Sequence, residues 1–267
     1  MLYSLSKGVS IPIRKPIIFL PAIIAGIINI WLFSFFSDAI YEMTINIFVL
    51  AQVPDSPAYI GLFQLVFANL GGFSALITYG IISSFIGLIL FFFYVRYLEN
   101  LSNKEASIMQ AINETKSAIP NIFTLLVFLG ALSGISLGLM FVSLIISEVS
   151  PLLGIFLFLI LTIVLMYVYI KIAFALVSIA TDGKNVKEAI EQSWNFTGEN
   201  FWKILLILLV VGIISNGLLS LGEMLLDSAI DEIAGIASMA FFWILAKVFA
   251  DCTIATYYLK HKLGKIL

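Results

Sequence analysis

Six long apolar runs separated by short polar stretches give this chain its pattern. A helix rises 1.5 Å per residue, so about 20 apolar residues cross the roughly 30 Å hydrocarbon core of a bilayer. The runs 17–36, 73–95, 121–146, 151–178, 202–225 and 233–258 meet that length, and most charges fall between them. A further apolar run, 59–70, is too short to cross. Joined to the second span it would make a helix of about 60 Å, twice the core. Gly71-Gly72 offers a break there. The pattern therefore predicts a short outer helix at 59–70, lying on the surface or dipping in and returning. One long, tilted helix projecting outward is the alternative.

The polar stretches before the third and fifth spans have a helical period. Ile108, Ala111, Ile112 and Ile119 share a face around 104–118; Val186, Ala189, Ile190 and Ser193 share one over 184–197. Helices with one apolar and one polar side are expected to lie flat in a membrane interface. A cytoplasmic helical hairpin packed on its neighbours is the competing reading. These stretches also repeat. Residues 107–115 align with 185–193 without a gap, and the same offset pairs Phe123 with Phe201 and Gly134 with Gly212. Lys171 precedes Ser178-Ile-Ala-Thr181 much as Lys247 precedes Thr253-Ile-Ala-Thr256. A fainter third copy starts at Leu5 to Lys15, has Pro16-Ile-Ile-Phe19 against Pro120-Asn-Ile-Phe123, and places Arg96 near the level of the two lysines. The predicted fold class is an all-α integral membrane protein, with six transmembrane helices arranged as three parallel two-span repeats and surface helices on the cytoplasmic side.

Composition supports the membrane reading. The 267 residues are 61% hydrophobic and only 11% charged, against roughly 25% charged in a soluble domain. Polar surface is too scarce to cover a water-soluble body of this size. A basic, water-exposed domain for nucleic acid is also missing. The run 17–36 exceeds a cleavable signal's apolar core and ends in bulky residues, so it reads as a retained first span.

Charge fixes the expected orientation. The proposed outer segments 37–72, 147–150 and 226–232 carry Asp38, Glu42, Asp55, Glu148, Asp227, Asp231 and Glu232, but no Lys or Arg. Lys7, Arg14, Lys15, Lys104, Lys116, Lys184, Lys187, Lys260, Lys262 and Lys265 fall on the other side. Positive-inside sorting then puts both termini in the cytoplasm of a cell-membrane protein.

Candidate chemistry is sparse. Cys252 and His261 are the only residues of their types, which leaves no intrachain disulfide, no usual zinc set and no convincing catalytic triad. No catalytic, cofactor-binding or metal site is expected. The acidic outer rim of Glu223, Asp227, Asp231 and Glu232 reads as a solvated face rather than a calcium site. Ionisable residues within spans are functional candidates by default, which singles out Arg96, Lys171, Lys247 and Asp251. Lys171 and Asp251 lie at similar depth and are expected to pair across helices, while Lys247 and Asp251 are i, i+4 neighbours. Gly130, Gly134 and Gly138 form a small-residue ladder for helix packing, read as internal.

The segment Ala180-Thr-Asp-Gly-Lys-Asn-Val-Lys-Glu-Ala-Ile-Glu-Gln-Ser-Trp-Asn-Phe-Thr-Gly-Glu-Asn-Phe-Trp-Lys203 resembles the loop between spans four and five in a broad group of six-span proteins. That group includes the membrane domain attached to some glycerophosphodiester phosphodiesterases, and the YciC-like proteins. Lys7-Gly8 to Lys15-Pro16 and Tyr257-Tyr258 fit it too; Leu259-Lys260 depart from it, where the group often has an acidic residue. The resemblance implies a fold and no reaction, and the soluble phosphodiesterase domain has no counterpart here. The expected function is that of a non-enzymatic membrane scaffold or accessory subunit. Its partners would be the bilayer, anionic lipids at the cytoplasmic face and an unidentified protein. The alternative is a small-solute or lipid transporter using Arg96, Lys171, Lys247 and Asp251. Three two-span repeats also occur in mitochondrial carriers, but their Pro-x-Asp/Glu-x-x-Lys/Arg signature is missing.

Overall fold

The computed structural model describes residues 2–51, 69–102, 107–228 and 232–264. Within them the chain is helical throughout: α1 (Leu2–Arg14), a short 3-10 turn (Pro16–Ile18), α2 (Phe19–Ala51), α3 (Leu70–Ser102), α4 (Ile108–Val149), α5 (Pro151–Ile172), α6 (Ala175–Asp182), α7 (Val186–Ser228) and α8 (Glu232–Leu263). Among the described residues six stretches are long and apolar enough to cross a membrane, and they contain the six predicted spans almost entirely. Such helices satisfy their backbone internally, as a bilayer requires.

Several helices outrun the predicted boundaries. α2 continues through 37–51, which had read as a mixed outer segment, and α3 takes Gly71-Gly72 into its first turn. The short helix expected at 59–70 lies almost wholly outside the described residues. The stretch expected as a separate surface helix at 104–118 is joined to its span, for α4 runs unbroken through Pro120. α7 likewise joins 186–199 to the span, with a kink at Asn200 (φ −122°, ψ 19°). There the Asn200 side-chain amide donates to the Phe196 carbonyl at 3.3 Å, so the bent turn keeps a partner.

The chain forms two compact units. The first comprises 1–27, 86–125 and 170–267. Its core is built from large side chains, among them Phe92, Tyr94, Leu98, Phe174, Ile204, Tyr257 and Tyr258. Tyr94 donates its hydroxyl proton to the Ile18 carbonyl at 3.1 Å, tying the start of α2 to α3. α1 lies along α8 through its small-residue face, burying Ser4, Gly8, Ile11 and Pro12. A Cβ at Gly8 would fall 1.9 Å from Thr253 Oγ1 and 3.3 Å from the Phe249 carbonyl oxygen. Any larger residue there must displace the Thr253 side chain. Gly8→Leu is expected to lift α1 off α8, at an overpacking cost of about 1–3 kcal/mol. Limited trypsinolysis should then cut after Lys7 and Arg14 faster than in the parent, and equal rates would contradict the close packing.

The second unit comprises 28–85 and 126–169. Gly72 brings α3 against α2, since a Cβ there would meet the Ala39 carbonyl oxygen at 2.7 Å. Asn46 Nδ2 donates to Asn69 Oδ1 at 2.7 Å beside that crossing. Gly154 fits against the Ser147 backbone, which allows the tight α4–α5 turn at Ser150.

Candidate functional site

The span predicted at 151–178 is interrupted at Ala173 and Phe174, between α5 and α6. No proline or glycine lies there to cause it. A broken turn inside a core strands backbone groups that must find partners. One side chain of α7 serves both sides of the break. The Phe174 N–H donates to Ser193 Oγ at 3.1 Å, and the Ser193 hydroxyl donates to the Lys171 carbonyl at 2.8 Å. Thr197, one turn along, donates to the same carbonyl at 3.5 Å. Ser193 and Thr197 are fully buried. The apolar face of 186–197 is thus packed on α6, with Ala189 fully buried, where a lipid-facing surface helix had been expected.

The rest of the distinctive segment converges on the same place. Gly183 closes α6 in the left-handed conformation (φ 65°), with its N–H on the Ile179 carbonyl. Asn185 starts α7, its Oδ1 accepting the Glu188 N–H at 3.0 Å. Gln192 bridges Ser178 and Asp182 of α6, donating to Asp182 Oδ2 at 2.6 Å. Phe174 stacks on Tyr258 (centroids 5.5 Å) and meets Phe196 edge-on (5.4 Å), and Phe196 contacts Tyr258 at 5.0 Å. His261 stacks on Tyr257.

Lys171 leaves the break toward α7. Its ammonium donates to the Trp194 carbonyl at 3.3 Å and sits 5.2 Å from the centre of the Trp194 ring, within cation–π range. A Cβ at Gly198 would lie 2.9 Å from that ammonium, so the glycine leaves it room. Asp251 does not make the expected pair with Lys171. Lys247, one turn before it on α8, lies 2.9 Å from each carboxylate oxygen and occupies it. Arg96 forms a third, separate cluster, with Glu99 at 3.1 Å and with Glu114 of α4 at 3.4 Å. The four candidate charges are therefore held in three places by local partners.

Gly130, Gly134 and Gly138 are exposed, and among the described residues no atom beyond the adjoining residues and backbone of their own helix lies within 4 Å of a Cβ built at any of them. The internal packing expected of that ladder is not made among these residues. Of the acidic rim only the Glu223 side chain is described, and it is exposed.

Ser193, Trp194, Thr197 and Gly198 lie in the family-like segment, but their tasks are not apparent from the sequence, and Glu99 and Glu114 do not stand out there as partners of Arg96. The signal for Glu99 was its i, i+3 spacing from Arg96; nothing local pointed to Ser193.

The family model for the membrane domain of glycerophosphoryl diester phosphodiesterase matches residues 145–258. The matched stretch holds the α5–α6 break, all of α7 and the Lys247–Asp251 pair. No curated protein and no solved structure matches the chain.

Proposed function

We propose that this multi-pass integral membrane protein, whose residues 145–258 are of that membrane-domain family, acts as a non-enzymatic scaffold or accessory subunit. One observation carries the reading: the interior charges and the signature residues are engaged with one another. Ser193 and Thr197 hold the α5–α6 break, Trp194 and Gly198 house Lys171, and Lys247 neutralises Asp251. Side chains so engaged leave little free chemistry for a substrate. The proposal includes a cell-membrane location with both termini cytoplasmic, from the one-sided Lys and Arg. Anionic lipids and a protein partner would meet that basic side.

It also includes three parallel two-span repeats. Supporting this, the start of α7 packs on α6, Glu114 near the start of α4 reaches Arg96 near the end of α3, and α1 packs on α8. In each case a polar, helical stretch seats on the end of a span of another repeat.

The α5–α6 break favours a second reading, because discontinuous helices carry binding sites in many transporters. That reading is a small-solute or lipid transporter using Arg96, Lys171, Lys247 and Asp251. Liposomes containing the protein, loaded with inorganic phosphate and seeded with a fluorescent phosphatidylglycerol, separate the two. The scaffold reading expects phosphate efflux and lipid flipping at the rate of empty vesicles. A faster rate that Lys171→Met abolishes, with melting unchanged, would defeat it.

A further inference from the structure

We infer that the outer face of α1 is a docking surface for an anionic phospholipid leaflet. The inference rests on the proposed scaffold reading with its basic side toward the cytoplasm. At 100° per residue, Leu2, Ser6, Val9 and Ile13 fall within a sector of about 60° on α1. That sector lies opposite the face seated on α8. Leu2 is 78% exposed, Val9 50% and Ile13 72%, and Ile17 just beyond the helix is 50% exposed. A contiguous aliphatic stripe of this kind marks an interaction surface.

Charge selects the cover. Lys7 and Arg14 flank the stripe on one side and Lys15 follows it, while residues 1–15 contain no Asp or Glu. Arg14 and Lys15 are exposed. Lys260 of α8 adds a further positive charge near Lys7 at the start of α1, the two ammonium groups lying 3.9 and 5.6 Å from the centre of the Tyr3 ring. An apolar stripe edged by cations matches the boundary between acyl chains and anionic headgroups. The corresponding stretches elsewhere do not match it. The start of α7 mixes Glu188 and Glu191 with Lys187, and that of α4 mixes Glu114 with Lys116. The two stretches whose sequence period suggested surface helices are thus the less suited to this role. α1, whose inner face is clamped on α8 by Gly8, presents the membrane-binding side.

The test uses the full-length protein in nanodiscs, made of phosphatidylcholine alone or of an equal mixture with phosphatidylglycerol. A nitroxide at position 9 (Val9→Cys) and one at position 188 (Glu188→Cys) report depth through their accessibility to oxygen and to a water-soluble nickel chelate. In the mixed discs the oxygen-to-nickel ratio at position 9 should exceed that at 188 at least about threefold, as for a side chain below the headgroups. Equal ratios would overturn the inference and leave α1 facing water or a protein. Lys7→Gln/Arg14→Gln/Lys15→Gln should lower the phosphatidylglycerol co-purifying with the protein at least about twofold. Unchanged lipid would remove the charge argument and the anionic preference with it. Failure of the orientation reading shows separately. In intact cells an impermeant maleimide would then reach a cysteine at Lys184 from outside, whatever the nanodiscs report.

Discussion

Lys247→Met is expected to destabilise the protein by about 3–5 kcal/mol, because it leaves one buried carboxylate without its counter-ion. Asp251 is 5% exposed, and both its oxygens lie 2.9 Å from the Lys247 ammonium. Methionine keeps the unbranched shape of the lysine stem, so packing changes little and the lost charge dominates. The carboxylate must then remain charged in an apolar setting or take up a proton, and either costs free energy. The double variant Lys247→Met/Asp251→Leu removes both charges at once. A buried ion pair replaced by apolar groups is often neutral or stabilising. The double variant should therefore melt near the parent in mild detergent while the single variant melts well below it. A single variant as stable as the parent would show that Lys247 does not hold the Asp251 charge.

Ser193→Ala is expected to cost about 2–6 kcal/mol, the sum for two buried backbone groups at about 1–3 kcal/mol each. The hydroxyl accepts the Phe174 N–H and donates to the Lys171 carbonyl, and alanine does neither. Thr197 is a weak substitute at 3.5 Å, and it reaches only the carbonyl. The variant should also loosen α6, whose residues 175–180 are all buried and depend on this joint. Hydrogen exchange measured residue by residue checks both points. Amides of 174–182 should lose protection in Ser193→Ala, while those in the middle of α4, remote in sequence, keep theirs. Uniform loss would mean general unfolding, and unchanged protection would show that the break needs no plug.

Much of the fold was legible because the bilayer acts as a simple solvent. A run of about 20 apolar residues meets its requirement without help from any neighbour. The six spans could therefore be found from local sequence, and the helices contain them. The family-like segment was legible as a pattern, and the match over 145–258 bears out that resemblance. The turn at Gly183 and the cap at Asn185 are local too, and their residue types already suggest them.

Other features required the folded chain. Nothing at Ala173 or Phe174 breaks a helix. The break persists because Ser193, far along the chain, satisfies the groups it strands. The period of 184–197 showed an apolar face but not its destination, since lipid and α6 are equally apolar covers. Equal depth suggested Lys171 with Asp251, yet Asp251 already had Lys247 one turn away and Lys171 had the Trp194 carbonyl and ring. Partition between water and hydrocarbon depends on each segment's own composition, so the sequence by itself determined the spans. Contacts between helices depend on which groups meet within about 3–4 Å, and only the tertiary structure decided those.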